Sequence, residues 1–528
     1  MQKNNNRKFV FSKSFIALLL YAMIFSSNGL ATTLAESQNL YTMGEYSDAS
    51  RQYVELKKET LEVLKKRIKA KNNPVEISTE AVRLVLSSVG ASRSYAMLGS
   101  YDLAEKVCRD GIKELKKNTY NTSTALISTE LAEVLFSVGR SDESLEILEA
   151  VANQPNAPLR SIVKYAEILN YRGRYREAEV YTLAAVSAFN ANNLATASSV
   201  GLVTGFTIND LNIDEDVKRR LLSEQASLIA KAHWLNNNFQ TANQFFREAT
   251  QIDSKNAEAQ VMWGDLFAEK HNNAEASRSY QNVLSFNSKH LPAIVGLAIA
   301  LKQRGPLERA LYTNPSSSLA FNAYADLALG QNKFGEASSY LNAALPNNEE
   351  SIAVISSLAA IAVLKEDSKQ FENMEKRANT IRPNNGEFYT KIAERFSNDY
   401  RFTEAVEFAR KAIEVQPDFW PAYTVLGSNL IRLGEEEEGR KILERAYEED
   451  PYDVLTSNML TVFDTLDTYV TKQSGHFIVR MSENDSVVLW PYMEPLLEEA
   501  WETLIKKYDF TPDGPILIEI FEKREDFA

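Results

Sequence analysis

The sequence is poor in the residue types that most often carry catalysis, and this scarcity narrows its function. Its 528 residues include one cysteine and four histidines. Cys108 has no partner for an intramolecular disulfide and lies too far from the N-terminus to be a lipid-attachment cysteine. The zinc-binding H-E-x-x-H pattern is missing, because no two of the histidines lie four residues apart: His233, His271, His290 and His476.

Other signatures of catalysis and of nucleic-acid binding are also missing. The chain has no G-x-S-x-G nucleophile elbow, no G-x-x-x-x-G-K phosphate loop and no G-x-G-x-x-G dinucleotide fingerprint. Its 58 basic and 71 acidic residues give a formal net charge of -13, and no basic run lies outside the N-terminal segment. A phosphate backbone would be repelled by this balance. We therefore expect no enzymatic activity from the chain as given, no cofactor and no nucleic-acid partner.

The N-terminal segment has the layout of a secretory signal peptide. Small residues at Gly29-Leu30-Ala31 suit a cleavage site, and basic residues precede the apolar stretch Phe15–Phe25: Lys3, Arg7, Lys8 and Lys13. A membrane anchor is the weaker alternative, because these eleven apolar residues are about half of the roughly 20 that span a bilayer. Cleavage after Ala31 would leave a mature chain with a formal charge of -17 and no membrane span. We predict export, either to a periplasm or out of the cell.

Small residues recur every 34 positions in the second half of the chain, and this is its clearest pattern. The first track is Ala242, Ala276 and Ala310, followed after a shorter step by Ala337, Phe371, Ala405 and Gly439. The second track keeps the same period: Ala230, Gly264 and Ala298, then Ala325, Ala359, Ala393 and Gly427. Two tracks with one period predict a repeated helical hairpin whose small positions let its helices cross closely.

The residues around these tracks resemble the tetratricopeptide repeat family. Trp263-Gly264 and Phe267 match the first helix of its pattern, and Ala276 and Tyr280 match the second. The resemblance implies an all-α superhelical solenoid of hairpins, with a concave surface that binds proteins or extended peptides. It also implies a scaffold that mediates protein-protein interaction.

The period divides the chain into segments of different regularity. Residues 32–222 carry a looser version of the signature, with four further candidate repeats at Gly44, Gly99, Gly139 and Gly173, and residues 223–451 form the regular array. Extra residues at 57–90 and 186–222 indicate longer helices or inserted turns. Between Ala310 and Ala337 the step shrinks to 27. This step predicts either a hinge or binding notch, or a shortened unit of the kind that solenoids tolerate.

The C-terminal segment is not a repeat. Residues 452–474 are predicted to form a capping or linker helix, and residues 475–528 a partial β-α-β unit. Its predicted strands are His476–Met481 and Ile516–Phe521, and its helix covers about 492–508, starting near Pro491. This unit resembles the opening of the gluzincin-type metallopeptidase domain, without the zinc motif. The alternative hypothesis is therefore the substrate-recruiting part of an exported zinc peptidase whose catalytic region is absent from this chain.

The family resemblance places a candidate binding groove on the outward positions of the first helices. The candidate residues are mostly acidic: Glu224, Lys231, Trp234, Glu258, Asp265, Glu269, Glu387, Glu394 and Asn398. By charge complementarity we expect an extended partner with basic or neutral side chains, although exposed acidic residues also serve solubility. The Lys and Asn residues of chaperone-binding members are missing, since Ser227 and Lys231 stand at those places.

The remaining residues with chemical potential have simpler interpretations. His233 occupies an aromatic position in a first helix, which favours a packed core histidine over a ligand. Cys108 falls at a large apolar position in a second helix, which predicts a buried and inert thiol. The acidic run Glu435–Glu438 is expected to be a solvated turn that caps a helix rather than a metal site.

Overall fold

The computed structural model describes residues 30–71, 74–118, 124–154, 157–191 and 215–523, which fall into two compact units. The first unit runs to Val425 and the second begins at Leu426. The expected fold class is confirmed, because the first unit is a superhelical solenoid of hairpins and the second contains a small sheet. The predicted signal peptide over residues 1–31 lies outside the described residues except for its last two.

The described helices of the first unit pair into ten hairpins along the chain. They are α1 (Leu30–Thr42) with α2 (Tyr46–Lys69), α3 (Pro74–Met97) with α4 (Tyr101–Asn118), α5 (Ala125–Ser137) with α6 (Ser141–Ala152), α7 (Leu159–Tyr171) with α8 (Tyr175–Ala191), α9 (Glu215–Leu235) with α10 (Phe239–Ile252), α11 (Ala257–Glu269) with α12 (Asn273–Phe286), α13 (Leu291–Ala300) with α14 (Gly305–Thr313), α15 (Ser318–Leu329) with α16 (Phe334–Ala344), α17 (Ile352–Leu364) with α18 (Ser368–Ile381), and α19 (Gly386–Asn398) with α20 (Phe402–Val415). Among the described helices of the whole chain, none is long and apolar enough to cross a membrane.

The small-residue tracks mark the closest helix crossings. Gly264 and Gly296 flank the buried ring of Tyr280, and an added Cβ would lie 2.6 Å and 2.4 Å from that ring, respectively. One large aromatic residue and two glycines therefore fill a single crossing. The alanines of both tracks are fully buried: Ala230, Ala242, Ala276, Ala298, Ala310, Ala325, Ala337, Ala359, Ala393 and Ala405.

Each hairpin turn contains one residue in the left-handed conformation. This conformation costs a residue with a Cβ about 1–2 kcal/mol, whereas glycine adopts it freely. In the first four hairpins it is glycine, but in the next six it is a residue with a side chain: Asn237, His271, Lys302, Asn332, Glu366 and Tyr400. Backbone conformation alone therefore does not explain why the first four hairpins use glycine.

Packing against distant turns explains the four glycines. Each lies against the turn that precedes a hairpin much later in the chain, and a Cβ would collide with a side chain there. The distances from the added Cβ are 2.4 Å to Asn287 Oδ1 for Gly44, 2.2 Å to Asn314 Oδ1 for Gly99, 2.7 Å to Asn348 Oδ1 for Gly139 and 3.0 Å to Arg382 Cγ for Gly173.

Hydrogen bonds hold these distant turns together. Asn287 Nδ2 donates to the hydroxyl of Tyr46 at 3.0 Å, and the hydroxyl of Tyr171 donates to the carbonyl of Glu350 at 2.6 Å. Arg382 Nε donates to the carbonyl of Tyr171 at 2.6 Å. The turns before hairpins seven to ten thus dock on hairpins one to four. About six hairpins complete one superhelical turn, and the next turn stacks on it.

The 27-residue step corresponds to a short hairpin inside the array. Helix α13 spans Leu291–Ala300 and α14 spans Gly305–Thr313, with Pro306 in the first turn of α14, where a missing N–H is tolerated. Asn314, which follows α14, makes the contact with Gly99 that the stacking pattern requires. Of the two interpretations, the structure favours a shortened unit.

The second unit joins one repeat hairpin to a three-stranded sheet. Helix α21 (Trp420–Arg432) crosses the unit boundary and pairs with α22 (Glu436–Glu449), and α23 (Val454–Leu466) follows. Strand β1 (Val470–Gln473) pairs antiparallel with β2 (Phe477–Met481), and β2 pairs parallel with β3 (Ile516–Ile520). Helix α24 (Glu483–Tyr508) connects β2 to β3 and covers one face of the sheet through the buried Trp501.

The second unit differs from the sequence-based prediction in two places. The helix predicted over residues 452–474 spans only Val454–Leu466, and an additional strand, β1, follows it. Helix α24 begins at Glu483 rather than near Pro491, because the side chain of Ser482 accepts a hydrogen bond from the amide of Asp485 and caps it.

We predict that Gly139→Ala destabilises the protein more than Gly434→Ala. Both glycines have positive φ, +77° and +89°, so both variants carry the left-handed penalty of about 1–2 kcal/mol. The Cβ at 139 would also meet Asn348 and the amide of Glu349, whereas nothing lies within 4 Å of the Cβ at 434. Urea unfolding should show an additional loss of about 1–3 kcal/mol for Gly139→Ala. Equal losses would contradict the stacking of superhelical turns.

Candidate functional site

The candidate groove residues lie on three first helices of the solenoid. Glu224, Lys231 and Trp234 are on α9, residues Glu258, Asp265 and Glu269 are on α11, and Glu387, Glu394 and Asn398 are on α19. The structure joins most of the α9 and α11 residues into one network of charges. The α19 residues form a second group.

Arg160 is the centre of the first network. It is buried at the start of α7, and its Nε donates to Glu133 Oε1 at 2.8 Å. Its Nη1 and Nη2 donate to the two carboxylate oxygens of Glu258 at 2.9 and 3.0 Å, and Nη1 lies 3.5 Å from Glu224. One guanidinium therefore joins α5, α7, α9 and α11. Burial alone would raise the pKa of Glu258, but Arg160 and Lys164 outweigh it and lower that pKa to about 2.

A chain of contacts continues the network along α7, α9 and α11. Lys164 Nζ lies 2.8 Å from Glu167 Oε2, and Lys231 Nζ lies 3.1 Å from the other oxygen of Glu167. The ammonium of Lys231 also sits 3.9 Å above the ring of Trp234, whose Nε1 donates to Glu269 at 2.8 Å. The indole ring of Trp234 thus binds the ammonium of Lys231 through a cation–π interaction.

Two carboxylates, one beside this network and one near α19, have no Lys or Arg nitrogen within 4 Å among the described residues. Asp265 accepts a hydrogen bond from the hydroxyl of Tyr280 at 2.7 Å, and Asp326 accepts one from Asn322 Nδ2 at 3.1 Å. Both side chains are exposed, but the nearby protein removes part of the water around their carboxylates. This desolvation disfavours the charged form and raises the pKa of each to about 6. Lys231, Asp265, Ile299 and Asp326 occupy corresponding positions in successive first helices.

The α19 group combines a structural and an exposed part. Glu387 binds Arg382 at 2.6 Å, and Arg382 belongs to the docked turn before α19, so Glu387 supports the stacking of superhelical turns. Glu394 binds Lys391 at 2.8 Å, and Asn398 is exposed. Lys391 and Glu394 both influence the pKa of Asp326, which places this pair near that carboxylate.

Sequence reasoning missed the basic half of the first network, because that half lies in the irregular N-terminal repeats. Arg160 and Lys164 were not among the candidates, nor were Glu133 and Glu167. A signal was present: Glu133 and Glu167 are separated by 34 residues, the same period as in the regular array. Following that period upstream from Lys231 would not have found Arg160, whose position is set by packing across several repeats.

The simpler interpretations of His233 and Cys108 agree with the structure. The ring of His233 stacks on Phe245 with centroids 5.7 Å apart, and burial lowers its pKa. Cys108 is fully buried, and burial raises the pKa of its thiol to about 12, so an inert thiol is expected.

The acidic run Glu435–Glu438 is only partly a solvated turn. Glu435 precedes α22, and the next three glutamates form its first turn, as expected for a helix N-terminus. Glu436, however, receives both terminal nitrogens of Arg480 from β2 at 2.5 and 2.6 Å. These residues help to line a cavity of about 310 Å³ in the second unit.

The described residues contain no cluster of three or more His, Cys, Asp or Glu side chains that could hold a metal ion. Among the described residues, the arrangement that most resembles a catalytic group lies around His476, immediately before β2. His476 Nδ1 lies 2.6 Å from Glu498, and the hydroxyl of Ser474 donates to the same carboxylate at 2.5 Å. Since serine and histidine both bind the glutamate and not each other, they do not form a nucleophile and base pair.

We predict that Arg160→Met destabilises the first unit by about 3 kcal/mol in urea unfolding near pH 7, because it removes the main cation of Glu133 and Glu258 and leaves them only the more distant Lys164. The pKa of Glu258 is lowered by folding, so the stabilising effect of the pair is complete above about pH 5 and disappears towards pH 2. The difference in free energy of unfolding between Arg160→Met and the wild type should therefore decrease as the pH falls from about 5 towards 2.

The matched control is Arg174→Met, which removes an exposed pair with Glu177 and should change stability by less than about 1 kcal/mol. A difference between wild type and Arg160→Met that stays constant from pH 7 to pH 2 would contradict the proposed pairing.

Comparisons with known proteins agree with the repeat at the C-terminal end of the array. Residues 421–453, which contain α21 and α22, match the tetratricopeptide repeat family. The structure is similar to that of PilW, described as a widely conserved type IV pilus biogenesis factor, with 17% identity, 39% of this chain and 98% of that chain covered, and a TM-score of 0.29. It is also similar to yeast Tom70, with 13% identity, 83% of this chain and 97% of that chain covered, and a TM-score of 0.35. Compared with curated protein sequences, the chain has no match.

Proposed function

We propose that this protein is an exported scaffold that binds another protein, or an extended peptide, along the first helices of its solenoid. Stacked helical hairpins present side chains from successive repeats along one continuous surface, and such surfaces suit protein binding rather than catalysis. The layout of the N-terminal segment supports export, to a periplasm or out of the cell.

The observation that carries this proposal is the excess of negative charge beside the Arg160 network. Within the network, each lysine and arginine already has a carboxylate partner. Among the described residues, no Lys or Arg nitrogen lies within 4 Å of the carboxylate of Asp265, beside the network, or of Asp326, near the Lys391–Glu394 pair. These two residues occupy corresponding positions on α11 and α15, with the half-exposed Ile299 between them on α13. An extended segment with basic residues and an apolar residue between them would complement this surface.

We predict that Asp265→Asn weakens binding of a basic peptide about 5- to 10-fold, which is about 1.0–1.4 kcal/mol. The experiment screens an array of decapeptides that carry Lys and Arg, no charge, or Asp and Glu, and then measures the Kd of the best binder by fluorescence anisotropy. Asp102→Asn is the matched control, because it removes the same charge from an exposed position on the second helix α4.

The same binding should depend on pH. The raised pKa of Asp265, about 6, means that this carboxylate is charged above pH 7 and protonated below pH 5. The neighbouring groups are Lys231, Glu167, Glu269 and Tyr280, and affinity should fall as the pH is lowered through 6. In Asp265→Asn this fall should be smaller. A preference for acidic peptides, or equal effects of Asp265→Asn and Asp102→Asn, would reject the proposal.

The second candidate function is the substrate-recruiting part of an exported zinc peptidase. The observation that favours it is the small β-α-β unit of the second unit, in which, within the described part of the chain, β3 has a strand neighbour on one side only. The mass of the native exported product tests it. A product substantially longer than residues 32–528, with an H-E-x-x-H helix in the added part, would support the peptidase, and a product of that length would reject it.

A further inference from the structure

A groove lies between helices α22 and α23 of the second unit. Its first cavity, of about 310 Å³, is lined by the start of α22 and the end of α23, together with residues of β1 and β2. Its second cavity, of about 260 Å³, is lined by the middle and end of α22 and by the start and middle of α23. Arg440 borders both cavities. The two cavities are therefore parts of one groove, and two antiparallel helices form its walls.

The arginine inside the groove shows which chemical group this surface suits. Arg440 Nη1 donates to both carboxylate oxygens of Asp467 at 2.9 Å, and its Nε donates to Glu444 at 3.1 Å. Its guanidinium carbon lies 5.3 Å from the centroid of the Phe463 ring. Carboxylates and an aromatic ring thus hold a guanidinium together, as they commonly do in arginine recognition.

Carboxylates outnumber cations along the groove. The charged lining residues are five acids and two arginines: Glu436, Glu437, Glu444, Asp464, Asp467, Arg440 and Arg480. Both arginines are paired, since Arg480 binds Glu436 at 2.5 and 2.6 Å. Among the described residues, no Lys or Arg nitrogen lies within 4 Å of Glu437 in the first cavity or of Asp464 in the second. Each cavity therefore contains one carboxylate that a further cation would neutralise.

The apolar part of the lining suits the stems of long basic side chains. The first cavity contains Phe463 and Leu466, and the second contains Leu460 and the half-exposed Tyr447. Lysine and arginine bury their methylene groups along apolar surface while their charged ends reach a carboxylate. An apolar side chain would instead desolvate that carboxylate without pairing it, which is unfavourable. Each cavity therefore suits one basic side chain.

The distance between the two cavities gives the spacing of these side chains. The lining residues of the two cavities are centred about six positions apart on α22 and about five on α23, which is about 9 and 7 Å along the helices. In an extended chain, alternate side chains point to the same side and are about 6.6 Å apart, whereas adjacent ones point to opposite sides. The spacing therefore favours residues i and i+2 of an extended segment.

We propose that the groove between α22 and α23 binds an extended segment of another protein that carries two basic residues separated by one residue. One basic side chain enters the first cavity and pairs with Glu437, and the other enters the second cavity and pairs with Asp464. Charge complementarity selects this partner over an acidic one. The groove consists of residues of the second unit alone, so this proposal does not rest on the surface of the solenoid.

The test measures peptide binding at the groove itself, in the chain from residue 32 to 528. Asn458→Cys, labelled with an environment-sensitive fluorophore, reports locally, because Asn458 is exposed and adjoins Ser457 of the second cavity. The native Cys108 is buried and should not be labelled. The probes are two peptides of equal composition, Gly-Ser-Arg-Ser-Arg-Ser-Gly and Gly-Ser-Arg-Arg-Ser-Ser-Gly. We expect the first to bind at least about fivefold more tightly, whereas charge attraction alone would give equal affinities.

Two variants test the pairing of each cavity. Glu437→Gln and Asp464→Asn should each raise the Kd of the Arg-Ser-Arg peptide about 5- to 10-fold, and both side chains are exposed, so folding should be unaffected. Glu449→Gln is the matched control, because it removes an exposed carboxylate from the opposite side of α22. Its Kd should stay within about twofold of the wild-type value.

Three results would overturn the proposal. They are a fluorescence signal that does not change up to about 1 mM peptide, equal Kd values for the two peptides, and equal effects of Glu437→Gln and Glu449→Gln. Asp265→Asn should leave this local signal unchanged, because Asp265 belongs to the surface of the solenoid. Failure of the groove and failure of the proposed function can therefore be told apart.

Discussion

The docking of one superhelical turn on the next is the contact on which the first unit depends. It occurs at four places, and each needs a hairpin turn that is both left-handed and free of a Cβ: Gly44, Gly99, Gly139 and Gly173. In an open solenoid each repeat contacts only its neighbours, and stability is a sum of local terms. Here hairpins one to four are tied to hairpins seven to ten, so distant segments of the chain support each other.

The charges along the first helices meet between neighbouring hairpins rather than across the stacked turns. Side chains from several repeats approach each other, and carboxylates surrounded by protein need cations. Arg160 meets this need for Glu133 and Glu258, and Lys164 and Lys231 meet it for Glu167. The proposed binding surface uses carboxylates of the same first helices that have no such close cation, Asp265 and Asp326.

The two units offer different kinds of surface. The solenoid presents polar and mostly paired groups, and binding there would depend on charge, pH and ionic strength. The β-α-β unit presents exposed apolar side chains along α24, such as Val488 and Tyr492, and binding there would depend on their burial.

The sequence by itself determined the local structure of this protein. The 34-residue period located the hairpins and their small residues, such as Gly264 and Ala276, because helix crossings within a repeat depend on residues close in the chain. The alternation in 516–520 likewise located a strand. The strand at 470–473 was missed, since four residues carry little periodic signal and its partner is β2.

Only the tertiary structure decided which repeats meet each other. Gly139 and Asn348 are 209 residues apart, and no periodicity within the chain relates them. The role of Arg160 was hidden for the same reason, because its partners lie on three other helices. Contacts of this kind depend on the number of hairpins per superhelical turn. That number comes from small rotations between neighbouring hairpins, which accumulate along the solenoid and are set by packing rather than by any single residue.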